Sequence, residues 1–295
     1  MVFDLYLGIV VLPDGIFRFP FKTSENSHSI QVYMNLDLTG KTALVCGSTQ
    51  GIGKAAAIGL AGLGASVILM ARNEDSLKQT VKDLDSTLGQ NHSYLVADFS
   101  KPEQVKSAIE KRLSAGGVIH ILVNNTGGPP GGPITTAETT EFLSAFTNHL
   151  LCNQILAQAV LPGMKKASYG RIINIISTSV KIPLKGLGVS NTIRAAVGNW
   201  SKTWSMEVAQ FGITVNNVLP GATSTQRLQS ILTNKAEKTG KTVADAESEM
   251  IKEIPMGRFA APEEVANAIL FLASPAAAYI TGINIPVDGG RTGSL

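Results

Sequence analysis

The stretch TALVCGSTQGIGKAAAIGL, residues 42–60, decides the fold of this chain. Its first five residues are apolar or β-branched, as in a strand that is buried on both faces of a parallel sheet. Gly47, Gly51 and Gly53 follow, and the alanines at 55–57 let the next helix lie close to the sheet. Glycines permit a tight turn, and the free N–H groups at the start of a helix bind an anion such as a pyrophosphate. The stretch therefore predicts the first strand–turn–helix unit of a nucleotide-binding fold.

The remainder of the chain repeats this alternation of short apolar runs and helical patterns. Strand-like runs lie at 42–47, 66–71, 92–98, 119–125, 171–176, 213–220 and 284–289. Helical patterns lie near 52–63, 74–88, 102–114, 138–166, 190–210 and 262–273. Alternating strands and helices imply right-handed crossovers and a parallel sheet. We predict an α/β fold, namely a single-domain, Rossmann-type, doubly wound parallel sheet with helices on both faces.

Two segments stand apart from this alternation. Residues 226–256 are polar and helical in pattern, which favours a lid beside the ligand crevice. At the other end, the sequence MNLDLTGKTALVCG from Met34 is typical of a domain start, so we predict one domain at 34–295. Residues 1–33 are then an N-terminal appendix, and an extra strand or hairpin, or an anchor lying on a partner, is the alternative.

Composition excludes several classes of function. The chain has 295 residues and a net charge of +3, and its Lys and Arg residues are scattered, which argues against a nucleic-acid partner. No apolar stretch approaches the roughly 20 residues of a membrane span, and the chain start lacks the basic region and cleavage site of a signal peptide. Cys46 and Cys152 lie in apolar surroundings and are expected to be reduced, buried thiols. We expect a cytoplasmic protein that binds neither membrane, nucleic acid nor metal.

Further motifs follow the glycine turn. They are NNTG at 124–127, Asp98 after the third predicted strand, LPG at 219–221 and ITGINIPVDGG at 280–290. In this order and spacing they resemble the short-chain dehydrogenases/reductases (SDRs) over about residues 36–290. The chain is similar to the 3-oxoacyl-(acyl-carrier-protein) reductase-like members of that family. The resemblance implies that the domain at 34–295 binds a nicotinamide dinucleotide.

The resemblance also implies a cofactor site, position by position. In chain order, the implied positions are Gly47, Ser48, Gly51, Ile52, Gly53, Asp98, Phe99, Asn125, Gly127, Pro220, Gly221 and Thr225. Among them, Asp98 would accept a hydrogen bond from the adenine amino group, with Phe99 beside it. Pro220, Gly221 and Thr225 would border the nicotinamide end.

The end of the second predicted strand indicates which dinucleotide is bound. An NAD-binding site usually has a carboxylate there, which accepts hydrogen bonds from the ribose 2′-OH. Here the sequence VILMARNEDSL has Ala71 at that place, followed by Arg72. A guanidinium pairs with a 2′-phosphate, whereas a carboxylate repels it. We predict NADP(H) in preference to NAD(H), and the alternative is that Arg72 is a solvated loop charge.

The chain departs from the family pattern at the catalytic positions. The Ser that binds the substrate oxygen is present as Ser177. The positions of the usual catalytic Tyr and of the Lys one helical turn later hold Ser190 and Arg194. The usual Asn on the preceding long helix falls at His149, and a slip of one residue would put it at Asn148.

These replacements change the acid–base chemistry. A Tyr phenol, with a pKa of about 10, is readily tuned by a nearby cation, whereas an aliphatic hydroxyl is a much weaker acid. Arg194 supplies positive charge and can hold ribose hydroxyls, but it does not release a proton. In a divergent reductase, Ser177 and Ser190 would polarise the carbonyl, Arg194 would stabilise the developing oxyanion, and water or His149 would supply the proton.

Three functions remain open. The first is an NADP(H)-dependent oxidoreductase acting on a small-molecule carbonyl or secondary alcohol. The second is an NADP(H)-binding homologue with weak or no reductase activity that acts as a sensor or partner subunit, and the third is a dehydration or isomerisation. Hydride transfer needs mainly the cofactor and its orientation, which favours the first. A carboxylate-bearing substrate beside Arg194 and Lys185 is one candidate, and the resemblance implies a homo-oligomer, a tetramer or dimer, built on the helices near 138–166 and 190–210.

Overall fold

The computed structural model describes residues 10–11, 16–18 and 33–294. In its first part, β1 (Val10–Val11), β2 (Ile16–Arg18) and β3 (Tyr33–Asn35) pair side by side as an antiparallel sheet. The remainder of the N-terminal segment 1–33, for which the sequence favours an appendix, lies outside the described residues.

A seven-stranded parallel sheet forms the centre of the domain. Its strands are β4 (Thr42–Cys46), β5 (Ser66–Ala71), β6 (Ser93–Val96), β7 (Ile121–Asn124), β8 (Gly170–Ile175), β9 (Ile213–Pro220) and β10 (Asn284–Val287). The strand order is β10-β9-β8-β7-β4-β5-β6, and every neighbouring pair is parallel. The first strand of the parallel sheet, β4, thus lies next to β7, and the chain extends the sheet outward from this pair in both directions. This is the doubly wound arrangement that the sequence predicts.

Nine helices accompany the described strands. They are α1 (Gly51–Gly62), α2 (Glu74–Lys82), α3 (Pro102–Ser114), α4 (Thr139–Phe146), α5 (Cys152–Ala167), α6 (Gly188–Val208), α7 (Gln226–Thr239), α8 (Val243–Lys252) and α9 (Pro262–Ala273). Within the described residues, no helix combines the length and apolarity that crossing a bilayer requires.

The sheet is covered on both faces because its strands are apolar on both sides. In β4, Ala43 and Val45 join a core with α1, α2 and α9, whereas Leu44 and Cys46 join a second core with α3 and α5. All of these strand residues are buried, and each fully buried aliphatic side chain contributes about 1.5–3 kcal/mol to folding. The two predicted thiols, Cys46 and Cys152, are buried and free.

Helix α2 is shorter than its sequence pattern. The pattern predicts a helix over 74–88, but the helix ends at Lys82. Beyond it, Asp85 accepts the backbone N–H of Thr87 at 2.9 Å, and Gly89 takes φ of +78°. A side-chain oxygen that bonds to the backbone two residues later competes with helical hydrogen bonds, so the polar turn displaces the last predicted helical turn.

A ladder of four asparagine side chains crosses the sheet. Asn124, Asn174, Asn217 and Asn284 are in register on β7, β8, β9 and β10. Asn124 donates to Asn174 at 2.8 Å, Asn174 to Asn217 at 2.9 Å, and Asn217 to Asn284 at 2.8 Å. Buried amides are stable only when they are hydrogen-bonded, and here each amide is bonded to its neighbour on the next strand. The ladder therefore fixes the register of four strands beside the crevice.

A π-helical turn, Thr147–Leu151, connects α4 to α5. The two helices and this turn form one continuous rod over the predicted helical region 138–166. A π turn places one extra residue in the helix, and such turns often occur at functional sites. It lies here at His149, one of the predicted site residues.

Helices α7 and α8 occupy the predicted lid at 226–256. Leu228 and Leu232 of α7 pack against Ala246 of α8 in a small apolar core of their own. A separate core allows the helix pair to remain intact while its position over the sheet changes. Lid motion itself stays a prediction.

Candidate active site

The carboxyl ends of the central strands open into a cavity of about 1470 Å³. The strand order reverses between β4 and β7, and in open α/β sheets ligands bind at such a switch point. Most residues predicted for the site line this cavity: Gly47, Gly51, Ile52, Arg72, Asp98, Phe99, Asn125, Gly127, Ser177, Ser190, Arg194, Pro220, Gly221 and Thr225. Ser48, Gly53 and His149 do not line it.

The glycine turn is packed too tightly for any other residue. A Cβ at Gly53 would lie 2.2 Å from the carbonyl oxygen of Gly47, and one at Gly47 would lie 2.5 Å from the carbonyl oxygen of Asn125. Gly47 and Gly51 also have φ values of +56° and +53°. The amide of Asn125 donates to the carbonyl oxygens of Cys46 and Gly47, at 3.2 Å each. Asn125 therefore supports the turn from the neighbouring strand.

The start of α1 has the features of an anion site. The Gln50 side chain forms no capping bond there, and the first turn holds no acidic side chain within this described stretch. The backbone N–H groups of that turn are thus available to a ligand, and the helix dipole favours negative charge. Ser48 is fully buried, and its Oγ has no hydrogen-bond partner in the described part of the chain.

Arg72 and Asp98 lie at the ends of β5 and β6. Arg72 is exposed and lines the cavity where an NAD-binding protein usually has a carboxylate. Asp98 accepts the backbone N–H of Ser100 at 3.0 Å and its hydroxyl at 2.9 Å. These two hydrogen bonds, with a smaller contribution from Arg72, lower the pKa of Asp98. The carboxylate is therefore an acceptor at neutral pH.

Three predicted catalytic residues meet at the other end of the cavity. Ser177 follows β8, and its Oγ accepts the N–H of Ser179 at 3.1 Å, so its own proton can be donated to a substrate oxygen. Ser190 and Arg194 are one turn apart on α6, on the same side of the helix. All three line the cavity beside Pro220.

Arg194 is deeply buried for a charged side chain. It is 9% exposed, and its Nη1 donates to the carbonyl oxygen of Ile175 at 2.7 Å. Burial, together with the positive charge of Arg227, lowers the pKa of Arg194 to about 10. Arg194 is thus charged at neutral pH.

Arg227 is a site residue that the sequence analysis missed. It is the second residue of α7, lines the same cavity, is half-buried and donates to the carbonyl oxygen of Pro129. Its burial lowers its pKa. One signal was available: a cation in the first turn of a helix is electrostatically unfavourable, which points to another role.

His149 and Asn148 lie in the π turn but have different surroundings. Asn148 lines the main cavity, and its Oδ1 has no partner among the described residues. His149 is 2% exposed, its Nδ1 bonds to the hydroxyl of Thr126, and it lines a smaller cavity of about 330 Å³. Burial, and then the charges of Arg194 and Arg227, hold the pKa of His149 well below its ordinary value. That His149 supplies a proton remains a prediction.

No group of His, Cys, Asp and Glu suited to a metal ion occurs within the described ranges. In the half of the cavity that contains Ser177, Ser190 and Arg194, here called the catalytic half, several charged side chains line the wall. Besides the buried Arg194 and the half-buried Arg227, the exposed Lys185 lines it.

Comparison with known proteins decides the family. Residues 47–292 match the family model described as Enoyl-(Acyl carrier protein) reductase, and this region holds β5 to β10, six of the seven strands of the parallel sheet. The chain belongs to the short-chain dehydrogenase/reductase family. It is therefore an SDR-type oxidoreductase by class, and the motifs that suggested this family lie inside the matched region.

Three relatives that this SDR chain covers nearly completely are reductases. It is 34% identical to 3-oxoacyl-(acyl-carrier-protein) reductase FabG of Vibrio cholerae serotype O1, over 86% of this chain and 98% of that protein. It is 31% identical to the NADPH-dependent reductase BacG of Bacillus subtilis, over 88% and 100% of the two chains. Among solved structures, the L-sorbose reductase of Gluconobacter frateurii, complexed with NADPH and L-sorbose, superposes with a TM-score of 0.82 at 32% identity, covering 89% and 100%.

Proposed function

We propose that this SDR chain transfers a hydride between NADP(H) and a small-molecule carbonyl compound or secondary alcohol, as 3-oxoacyl reductase-like enzymes do. The observation that carries the proposal is the single cavity in which Ser177, Ser190 and Arg194 lie beside the glycine turn. The relatives support it, because FabG and the NADPH-dependent reductase BacG cover nearly the whole domain.

The residues present fit NADP(H). The uncapped start of α1 suits the pyrophosphate, and Gly53 is required for the close approach of helix and turn. Arg72 would pair with the 2′-phosphate, and the ionised Asp98 would accept from the adenine amino group. The bound cofactor would supply the hydride.

The side chains of this chain would act on the substrate carbonyl. Ser177 and Ser190 donate hydrogen bonds to its oxygen, and Arg194 stabilises the negative charge that develops there. Removal of a single such donor typically costs about a hundredfold or more in rate. Ser190 is a poor acid, so the proton reaches the alkoxide from water in the cavity, with His149 as the alternative donor.

The same replacements support the second candidate. An SDR without the acidic phenol, at the position of Ser190, would bind NADP(H) and turn over slowly or not at all. Such a chain would act as a sensor or a partner subunit.

We further propose a cytoplasmic homo-oligomer, a tetramer or dimer. The rod α4–α5 and helix α6 expose Leu143, Phe146 and Met206, which are 66%, 44% and 68% exposed. Apolar side chains of this size on neighbouring helices mark a surface that a second copy would cover.

The decisive experiment is NADPH oxidation, followed by absorbance, against a broad panel of carbonyl compounds. Wild type is compared with Ser177→Ala and with Ser114→Ala, which removes an exposed hydroxyl on α3 outside the cavity. Turnover that falls on the order of a hundredfold in Ser177→Ala alone supports the reductase. Tight NADPH binding without turnover on any substrate would support the sensor or partner subunit.

A further inference from the structure

Two guanidinium groups, the buried Arg194 and the half-buried Arg227, share the catalytic half of the cavity without an acidic partner among the described residues. Arg194 comes from α6 and Arg227 from the lid helix α7, and both line the cavity. Within residues 33–294, neither forms an ion pair. Each donates to one backbone carbonyl, Arg194 to Ile175 and Arg227 to Pro129. A guanidinium has five N–H donors, so most donors of both groups lack a described protein partner.

The other charged groups around the cavity do not balance these two. Glu253 pairs with Arg291, and Lys235 with Glu249. Lys185 and Lys238 also line the cavity, form no ion pair within residues 33–294, and only add positive charge. Asp98 is at the end of β6, on the opposite half of the sheet from α6 and α7. A buried charge without a partner is costly, so the buried Arg194 in particular favours a ligand that brings negative charge into this half of the cavity.

The phosphates of the cofactor do not serve this purpose. Under the proposed function they lie at the start of α1 and beside Arg72, both of which belong to the β4–β5 half of the sheet. Arg194 and Arg227 follow β8 and β9 in the other half. Under the proposed function the uncharged nicotinamide ring of NADPH, beside Pro220 and Thr225, and the substrate share that half, so an anionic group there would come from the substrate.

Arg227 is held in place for such a ligand. Its bond to Pro129 ties the lid to the loop that follows β7. It also packs against Gly128, where a Cβ would lie 3.4 Å from Nε. A planar guanidinium that is anchored by one hydrogen bond keeps its other donors free, and such donors bind a carboxylate or phosphate with two parallel hydrogen bonds.

We propose that Arg227, with Arg194 behind it, binds an anionic group of the substrate, so that the substrate class is a carbonyl compound or alcohol bearing a carboxylate or phosphate. This deepens the proposed function and rests on it. The oxyanion would bind to Arg227 while Ser177 and Ser190 hold the carbonyl oxygen. Arg227 is then a specificity-determining residue.

The test measures binding of non-reducible probes to the NADPH-saturated chain by calorimetry. The probes are malonate, inorganic phosphate and the neutral malonamide. The variants are Arg227→Gln and, as matched control, Arg112→Gln, which loses the same charge and a guanidinium–carbonyl bond to Gly116 far from the cavity. We expect malonate or phosphate to bind wild type and Arg112→Gln equally. The same anion should bind Arg227→Gln at least about tenfold more weakly, and malonamide should not bind to any of the three proteins.

The outcomes distinguish a carboxylate from a phosphate as the anionic group, and some of them contradict the proposal. Binding of malonate alone assigns a carboxylate, and binding of phosphate alone assigns a phosphate ester. Equal anion binding in Arg227→Gln and Arg112→Gln, or no anion binding to wild type, overturns the proposal. Arg227→Lys keeps the positive charge but lacks the paired donors of the guanidinium. If this variant keeps the wild-type melting temperature, an anion affinity between those of wild type and Arg227→Gln would confirm that the guanidinium donors bind the anion.

Failure of the proposed function gives a different pattern. If NADPH does not bind, the same titration is made on the free chain carrying Arg72→Gln, which removes the predicted cofactor-phosphate partner. Arg227-dependent anion binding there would support the anion site and contradict hydride transfer. Turnover of neutral carbonyl compounds that Arg227→Gln leaves unchanged would support hydride transfer and contradict the anion site.

Discussion

The amide of Asn174 on β8 donates to Asn217 Oδ1 on β9 at 2.9 Å, in the middle of a ladder that crosses four strands. Asn174 also accepts from Asn124 at 2.8 Å. All three side chains are at most 3% exposed. The same amide also donates to the buried Ser201 at 3.3 Å, so removing it deprives three buried neighbours of a partner.

We expect Asn174→Ala to lower the free energy of unfolding by about 3 kcal/mol, since each orphaned buried group costs about 1–3 kcal/mol. Asn199→Ala, at an exposed position of α6, is the control and should change it little. Urea denaturation followed by tryptophan fluorescence measures both. Equal midpoints for the two variants would show that the ladder does not stabilise the sheet.

Gly53→Ala should abolish NADPH binding, because the new Cβ would lie 2.2 Å from the carbonyl oxygen of Gly47. Gly62→Ala is a matched change in the same helix, where a Cβ meets no described atom within 4 Å. That control should bind NADPH normally and melt at the same or a higher temperature, because Ala is the better helix former. Calorimetric titration compares the two, and unimpaired binding by Gly53→Ala would contradict the tight-turn geometry.

Arg72→Ala should weaken NADPH binding about tenfold or more and leave NADH binding nearly unchanged. The reason is that a guanidinium–phosphate pair is lost only with the cofactor that carries a 2′-phosphate. Dissociation constants for both cofactors, measured at one salt concentration, check this. An equal loss for NADPH and NADH would mean that Arg72 does not distinguish them.

His149 should make stability fall as the pH is lowered below about 6.5. The unfolded chain takes up a proton at His149 near that pH, whereas burial keeps the folded side chain neutral, so acid favours the unfolded state. The contribution is fully present above about pH 6.5 and is lost by at most about 1.4 kcal/mol per pH unit below it.

The check is the difference in melting temperature between wild type and His149→Gln as a function of pH. His120, whose pKa is also lowered by burial, is present in both proteins and cancels from the difference. A difference that is independent of pH between about 5 and 8 would rule out this role for His149.

Sequence patterns predicted the parallel sheet because they depend on local rules. Continuous apolar runs such as TALVC give buried strands, and the glycine spacing after β4 gives the turn, whatever the remainder of the chain does. The shortened α2 was missed because the Asp85 turn competes with a good helical pattern.

The catalytic half of the cavity was less predictable because its contacts are long-range. Arg227 is half-buried and donates to Pro129, which lies 98 residues earlier in the chain. Likewise, counting along the sequence assigned the helix position to His149 with Asn148 as the alternative, and of these two Asn148 lines the main cavity from the π turn. No local pattern carries either relationship.

The π turn sets how α4 is rotated relative to α5 within the long rod. Successive residues of an α-helix are about 100° apart. The extra residue in the π turn therefore changes which side chains of α4 lie on the same side of the rod as the buried side chains of α5. Helix α5 is committed to the sheet through Cys152, Leu156 and Val160, whereas α4 turns Leu143 and Phe146 outward. The outward face of α4 can therefore be altered, by mutation or by design, without disturbing the packing of α5, which makes this rod a natural place to engineer the assembly of the protein independently of its core.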